Sequence, residues 1–191
     1  MAATIYIQPI GPINTRLVGT ASLGISELLS AEVVMLRRLE IPAEAYDPRR
    51  RQYNSSVLLK QLLGSLRSGI DPAGKIIGVI DEDIFSPIFT FVFGEAVKNG
   101  DVGLISLKRL RQEYYGMPRD AGLLRKRILK SMLHELGHLL GLVHCRNTSC
   151  VMWKCTSIRG LDGKAERFCA DCRARLDRLG RRARLGAHAP S

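Results

Sequence analysis

Cysteine is absent from the first 144 residues of this 191-residue chain, and aromatic residues make up only 6% of it. Long apolar runs are also missing, because the longest uncharged stretch, residues 1–15, is interrupted by Pro9 and Pro12. That stretch is too short to span a bilayer and lacks the early basic residues of a secretory signal. We therefore expect no membrane association and no secretion, and we predict a cytoplasmic location.

Acidic residues are outnumbered by basic ones, and the excess of positive charge lies near the C-terminus. The net charge is +11, and residues 154–191 hold 10 basic and 4 acidic side chains. A basic patch of this kind is able to bind nucleic acid or an acidic protein. A solvent-exposed, arginine-rich helix accounts for the same charge, and we favour this simpler interpretation.

All five cysteines lie between residues 145 and 172. Their odd number and the absence of a secretory signal argue against a disulfide framework. Clustered thiols in a reducing compartment favour a metal site.

Hydrophobic periodicity predicts a βαβαβ order in the first 80 residues, which implies parallel strands with right-handed crossovers. The predicted elements are strand Thr4–Ile10, helix Ser22–Leu39, strand Ile41–Tyr46, a polar turn at Asp47–Arg51, helix Ser55–Leu66 and strand Lys75–Ile80.

The pattern then changes to two strands, Ile88–Phe93 and Gly103–Leu107, joined by a loop that contains Asn99 and Gly100. The loop leaves no room for a helix, so one edge of the sheet is predicted to be antiparallel. An exposed edge strand is able to bind an extended peptide through backbone hydrogen bonds, although many mixed sheets have an unused edge.

A long helix is predicted over Ala121–Leu140, with Asp120 as its N-cap. His134 and His138, four residues apart, lie about 40° apart around this helix and about 6 Å apart along it. Two imidazoles on one face are able to bind one ion. Glu135 is offset by about 100°, which places it outside the ligand set but near a metal-bound water.

Gly141 explains how a third histidine joins the pair. If the helix continued, His144 would lie about 240° beyond His138 and face away from the metal. Glycine adopts the left-handed conformation that ends a helix and redirects the chain. The sequence therefore predicts that the helix ends at Gly141 and that the chain turns so that His144 faces His134 and His138.

The string from His134 to His144, followed by a methionine, is the extended motif of metzincins. Three later features resemble the archaemetzincin family specifically: Cys145 directly after the third histidine, the run Cys150-Val151-Met152, and the pair Cys169 and Cys172. The contiguous resemblance covers residues 134–172. The 16-residue spacer between Met152 and Cys169 is one residue shorter than the family pattern. A deletion of this kind in a loop should not disrupt the site.

The resemblance implies a zinc metallopeptidase that acts on peptides or proteins. It implies a catalytic zinc held by His134, His138 and His144, with Glu135 as the general base that takes a proton from a zinc-bound water. Met152 resembles the methionine of the Met-turn, which lies beneath the histidines without binding metal.

The resemblance also implies a metzincin-like α/β fold. We expect a mixed, mostly parallel sheet with an antiparallel edge strand and a long active-site helix, and a small C-terminal subdomain stabilised by zinc. The expected boundaries are residues 1–141 for the N-terminal α/β subdomain and residues 142–191 for the C-terminal one.

Four of the cysteines suit a closed tetrahedral zinc site, because the final Cys-x-x-Cys is a good chelating unit. Cys145, Cys150, Cys169 and Cys172 hold a second, structural zinc in the family that the chain resembles, which makes two zinc ions per chain. Cys155 lies outside the pattern, and we interpret it as a free thiol.

Two alternatives remain open from the sequence. The first is a zinc-stabilised binding module that works through its basic C-terminal part, with little or no peptidase activity. Glu135 argues against this alternative, because a binding module does not need a carboxylate between the histidines. The second is an amide hydrolase that acts on a substrate other than a peptide.

Overall fold

The structure of the protein is a computed structural model that describes residues 4–66, 71, 73–97 and 100–186. Its helices are α1 (Thr15–Leu29), α2 (Ser55–Leu66), α3 (Ala121–Leu139), α4 (Ile158–Gly163) and α5 (Ala170–Gly186). Its strands are β1 (Ile5–Ile10), β2 (Val33–Met35), β3 (Tyr46–Asp47), β4 (Gln52–Asn54), β5 (Lys75–Ile80), β6 (Ile84–Phe85), β7 (Gly94–Ala96) and β8 (Val102–Ser106). None of the helices in these residues has the length and apolar character needed to cross a membrane.

The main sheet has five strands in the order β2-β1-β5-β8-β7. The first four are parallel to one another, whereas β7 pairs antiparallel with β8 and forms an edge. This confirms the predicted mixed, mostly parallel sheet with an antiparallel edge strand. A second, small sheet has the order β3-β4-β6.

The main sheet is covered by helices on both faces. Alternate residues of a strand point to opposite faces, and β5 follows this rule. Ile77 and Val79 join the core that includes α1 and α3, while Ile76 and Ile80 join the core that includes α2. Burial on both faces explains why β5 reads as a continuous apolar run.

The predictions for β1, α2, β5 and α3 are confirmed to within one residue. The start of α3 also agrees with its predicted cap, since the Asp120 carboxylate accepts a hydrogen bond from the Leu123 N–H at 2.8 Å. An unpaired N–H in the first turn of the helix is thereby satisfied.

The predicted helix Ser22–Leu39 is wrong in its boundaries. Helix α1 begins earlier, because the Asn14 side chain accepts a hydrogen bond from the Leu17 N–H at 3.0 Å and caps the helix. It ends at Ser30, which has a left-handed conformation with φ +50°. The apolar residues 33–35, which the periodicity assigns to the helix, instead form β2 beside β1.

The predicted strand Ile41–Tyr46 is also wrong. Residues 43–45 form a short 3₁₀ helix. Tyr46 begins β3, which pairs antiparallel with β4 in the small sheet. The polar turn at Asp47–Arg51 is present between these two strands, where the Arg51 N–H donates to the Asp47 carbonyl at 2.8 Å.

The predicted strand Ile88–Phe93 is wrong as well, and the antiparallel edge is formed by β7. Ile88 is 85% exposed. The ring of Phe91 contacts Phe93 edge-on with centroids 5.5 Å apart, and the Arg109 guanidinium lies 4.0 Å from the Phe91 centroid. Phe91 and Phe93 pack on each other, and Phe91 also packs on Arg109, so the alternation of aromatic residues does not reflect a place in the sheet. Residues 98 and 99 of the predicted connecting loop lie outside the described residues.

The C-terminal half of α3 packs closely on the segment 150–153. Met152 is fully buried, and a Cβ added at Gly137 would collide with its sulfur atom. The same Cβ would lie 3.3 Å from Phe168, so the sulfur has little space into which to move. Gly137 therefore allows α3 to approach this segment.

This contact predicts that Gly137→Ala destabilises the protein by about 1–3 kcal/mol, the usual effect of overpacking a core. Gly64→Ala is the matched control, because a Cβ at this exposed position of α2 meets no described atom within 4 Å. The control is expected to stabilise by about 0.5–1 kcal/mol through helix propensity. Chemical denaturation of both variants measures the difference, and equal stability of the two would contradict the packing account.

Candidate metal centre and active site

Two histidines on one face of α3 point their ring nitrogens at each other. His134 Nδ1 donates to the Val151 carbonyl at 2.8 Å, and His138 Nδ1 donates to the Leu142 carbonyl at 3.0 Å. A carbonyl only accepts, so both neutral rings carry their hydrogen on Nδ1. The two Nε2 atoms, 3.3 Å apart, then face each other with lone pairs. This arrangement is unfavourable for two neutral rings alone and suits a cation between them.

The third histidine reaches this pair because the chain turns at the end of α3. Gly141 has φ +89°, the left-handed conformation that the sequence predicts. The Leu142 N–H donates to the Gly137 carbonyl at 2.8 Å and closes the turn. The ring centroid of His144 lies 5.3 Å from that of His134 and 4.8 Å from that of His138. The three rings therefore converge on one point.

The surroundings keep these imidazoles uncharged. Burial lowers the pKa of His134 to about 3, and Lys164 adds to the effect through its positive charge. Burial likewise lowers the pKa values of His138 and His144. Neutral rings are the form that binds a metal, so these nitrogens are available over the physiological pH range.

Glu135 lies beside the three rings and is 6% exposed. A Cβ added at Gly94 would lie 2.6 Å from the Glu135 Oε1 atom. The lack of a side chain at this position of β7 therefore makes room for the carboxylate. Burial raises the pKa of Glu135 to about 8, against the lowering effect of Lys164. A carboxylate whose pKa is near neutrality is suited to accept and return a proton.

Four cysteines form a second cluster. The Sγ atoms of Cys145, Cys150, Cys169 and Cys172 lie within 4.8 Å of one another, and none is in a disulfide. The Cys145 and Cys169 sulfurs are 3.8 Å apart. Tetrahedral zinc with Zn–S bonds of about 2.3 Å requires a sulfur separation of about 3.8 Å, so the donors fit this ion. Cys155 is not a member of this cluster.

The histidine cluster opens into a cavity of about 620 Å³. The segment 89–96, residues of α3 and the region after His144 line it. Ser131, Lys164 and Gly94 also line the cavity, although no sequence pattern predicts them as site residues. Each belongs to no motif, and only the folded chain brings it to the site.

Comparison with known proteins agrees with this geometry. The profile of Peptidase family M54 matches residues 21–178. The archaemetzincin of Methanocaldococcus jannaschii is 38% identical over 182 residues, which is 94% of this chain and 96% of that protein.

Two solved structures are similar over most of their length. The zinc-dependent peptidase from Methanocorpusculum labreanum has a TM-score of 0.82 at 31% identity and covers 90% of this chain and 99% of its own. The archaemetzincin from Methanopyrus kandleri has a TM-score of 0.80 at 30% identity, and the match covers 94% of this chain and 97% of that protein. The chain belongs to peptidase family M54, the archaemetzincins, and is a zinc metallopeptidase.

Proposed function

We propose that this metallopeptidase hydrolyses peptide bonds at a zinc held by His134, His138 and His144, with Glu135 as the general base. The observation that carries the proposal is the opposed pair of ring nitrogens on α3, 3.3 Å apart, whose Nδ1 hydrogens are fixed by two backbone carbonyls. When bound, zinc supplies Lewis-acid activation of a water and of the scissile carbonyl.

Glu135 moves the proton in this proposal. Its carboxylate takes a proton from the attacking water and then delivers it to the nitrogen of the leaving amine. The residue follows His134 directly on α3 and lines the same cavity, so it faces the space where the scissile bond would lie. Its raised pKa makes the carboxylate a stronger base toward the attacking water than an ordinary, exposed glutamate.

The edge strand β7 offers a backbone surface for the substrate. Its residues 94–96 line the cavity, and one side of the strand pairs with β8. An extended peptide that adds to the other side of β7 would form main-chain hydrogen bonds and lie across Glu135. This geometry favours a peptide over a compact amide substrate.

Met152 acts as the methionine of the Met-turn in the proposal. The residue is fully buried against Gly137, and its carbonyl accepts a hydrogen bond from the Cys145 N–H at 2.9 Å. It therefore supports α3 beneath the histidines and helps to hold the chain just after His144.

We also propose that the four-cysteine cluster holds a second, structural zinc, for a total of two ions per chain. This zinc would stabilise residues 142–191 as a small C-terminal subdomain, with residues 1–141 as the N-terminal part. A reducing compartment keeps these cysteines out of disulfides, so we place the protein in the cytoplasm.

The alternative of a binding module rests on the basic C-terminal helix. Arg173 and Arg178 of α5 are exposed, and Arg173 pairs with Asp177 at 3.5 Å. Such features are ordinary for a solvated helix surface. The cavity and the buried Glu135 give stronger support to the peptidase.

Replacement of the general base tests the mechanism. Glu135→Ala is expected to reduce turnover of a pooled peptide library by about 100-fold or more, because proton transfer is lost. Zinc content, measured by elemental analysis, should stay at the wild-type level. Glu113→Ala removes a carboxylate from an exposed residue elsewhere and should leave turnover unchanged. Comparable turnover by wild type and Glu135→Ala would contradict the assigned role.

Zinc stoichiometry tests the two sites together. Elemental analysis should give about two zinc ions per wild-type chain and about one in His138→Ala. Cys172→Ser should lose the structural ion and also lower occupancy of the histidine site, because Cys145 adjoins His144. Cys155→Ser, outside the cluster, should retain both ions. Full occupancy of the histidine site in Cys172→Ser would show that the sites are independent.

A further inference from the structure

Lys164 is a buried lysine with an incomplete set of partners. It follows α4 directly and is 5% exposed. Its ammonium donates to the Val151 carbonyl at 3.2 Å. Among the described residues, no carboxylate oxygen lies within 4.0 Å of this ammonium. A buried ammonium with no carboxylate in direct contact is costly, so its retention next to a cavity points to an anionic ligand.

The positive charge of Lys164 faces the active site. The residue lines the same cavity as His134 and Glu135. Its charge contributes to the lowered pKa values of all three clustered histidines and opposes the raised pKa of Glu135. The other carboxylate that lines the cavity, Glu95, already accepts hydrogen bonds from the hydroxyls of Ser55 and Ser86. Neither cavity carboxylate therefore neutralises the lysine by direct contact.

Ser131 supplies a second donor on the same cavity. It lies one helical turn before Glu135 on α3 and is 4% exposed. Among the residues that the structure describes, its hydroxyl has no hydrogen-bond partner. A buried hydroxyl without a partner is destabilising, unless a ligand completes its hydrogen bond.

Both donors belong to the junction of α3 and α4. Lys130, next to Ser131, donates through its ammonium to the carbonyls of Leu161 at 3.3 Å and Asp162 at 2.9 Å. The Lys164 N–H donates to the same Leu161 carbonyl at 3.3 Å. These bonds join the two helices, and Ser131 on α3 and Lys164 just after α4 both line the cavity.

We propose that Lys164 and Ser131 form a carboxylate-binding subsite beside the scissile bond. The preferred substrates of this peptidase then carry a carboxylate next to the bond that is cut, either on an acidic side chain or at the C-terminus of the chain. The proposal deepens the function given above and rests on it for the identity of the ligand as a peptide. An ammonium and a hydroxyl together match a carboxylate, which accepts from both.

Equilibrium binding to the zinc-loaded, full-length Glu135→Ala protein tests the subsite without turnover. The probes are three pools of fluorescein-labelled alanine hexapeptides, read by anisotropy. The first pool carries one glutamate at each position in turn and an amidated C-terminus, and the second carries glutamine instead. The third carries glutamine and a free C-terminal carboxylate, so the pools separate the two sources of the carboxylate.

We expect the first or the third pool to bind about tenfold more tightly than the second. Adding Lys164→Met should abolish that preference, and Ser131→Ala should reduce it about threefold, since one of two donors is lost. Lys154→Met is the matched control, because Lys154 lines the exposed rim of the same cavity. Its effect should stay below about twofold at physiological salt.

Equal binding of the three pools, or a preference that survives Lys164→Met, would overturn the subsite. Thermal unfolding shows whether Lys164→Met folds. If it does not, Ser131→Ala decides, because the Ser131 hydroxyl makes no hydrogen bond to any described residue whose loss would unfold the protein. Turnover by the wild-type protein is measured in parallel. A carboxylate preference without any turnover would support the subsite and reject the proposed hydrolysis. Turnover without a carboxylate preference would support the hydrolysis and reject the subsite.

Discussion

Two backbone carbonyls control the geometry of the proposed active site. The carbonyls of Val151 and Leu142 each accept the Nδ1 hydrogen of one histidine on α3, and this leaves both Nε2 lone pairs directed at each other. The histidines alone do not establish this arrangement, because a free imidazole rotates and exchanges its hydrogen between the two nitrogens. A metal centre needs rings whose orientation and tautomer are set in advance, and the backbone provides both.

The short segment 150–153 connects this centre to the rest of the C-terminal region. Val151 supplies the carbonyl that orients His134 and also accepts from Lys164. Met152 packs on Gly137 and binds the Cys145 N–H through its carbonyl. Cys150 accepts a hydrogen bond from the Cys169 N–H at 3.3 Å within the thiol cluster. The two clusters therefore share one piece of backbone, so we expect disorder at the cysteines to affect the histidines.

Both ends of α3 follow local rules, and the sequence predicts them correctly. Asp120 caps α3, Gly141 ends it, and both effects depend on neighbours within a few residues. Helix α1 and segment 88–93 were predicted wrongly because apolar residues there have uses that periodicity does not reveal. The valines of β2 pair with β1, and Phe91 packs under Arg109. Lys164 and Ser131 carry no signal at all, because their importance comes from the packing of α4 on α3.

The central claim is that three imidazoles and one divalent ion form a single centre. Diffraction data collected just above and just below the zinc absorption edge, from crystals grown with zinc, test it most directly. The account predicts an anomalous peak about 2.0–2.1 Å from a ring nitrogen of each of His134, His138 and His144. A zinc-containing crystal in which the ring of His144 points into solvent, with no peak between the three rings, would contradict it.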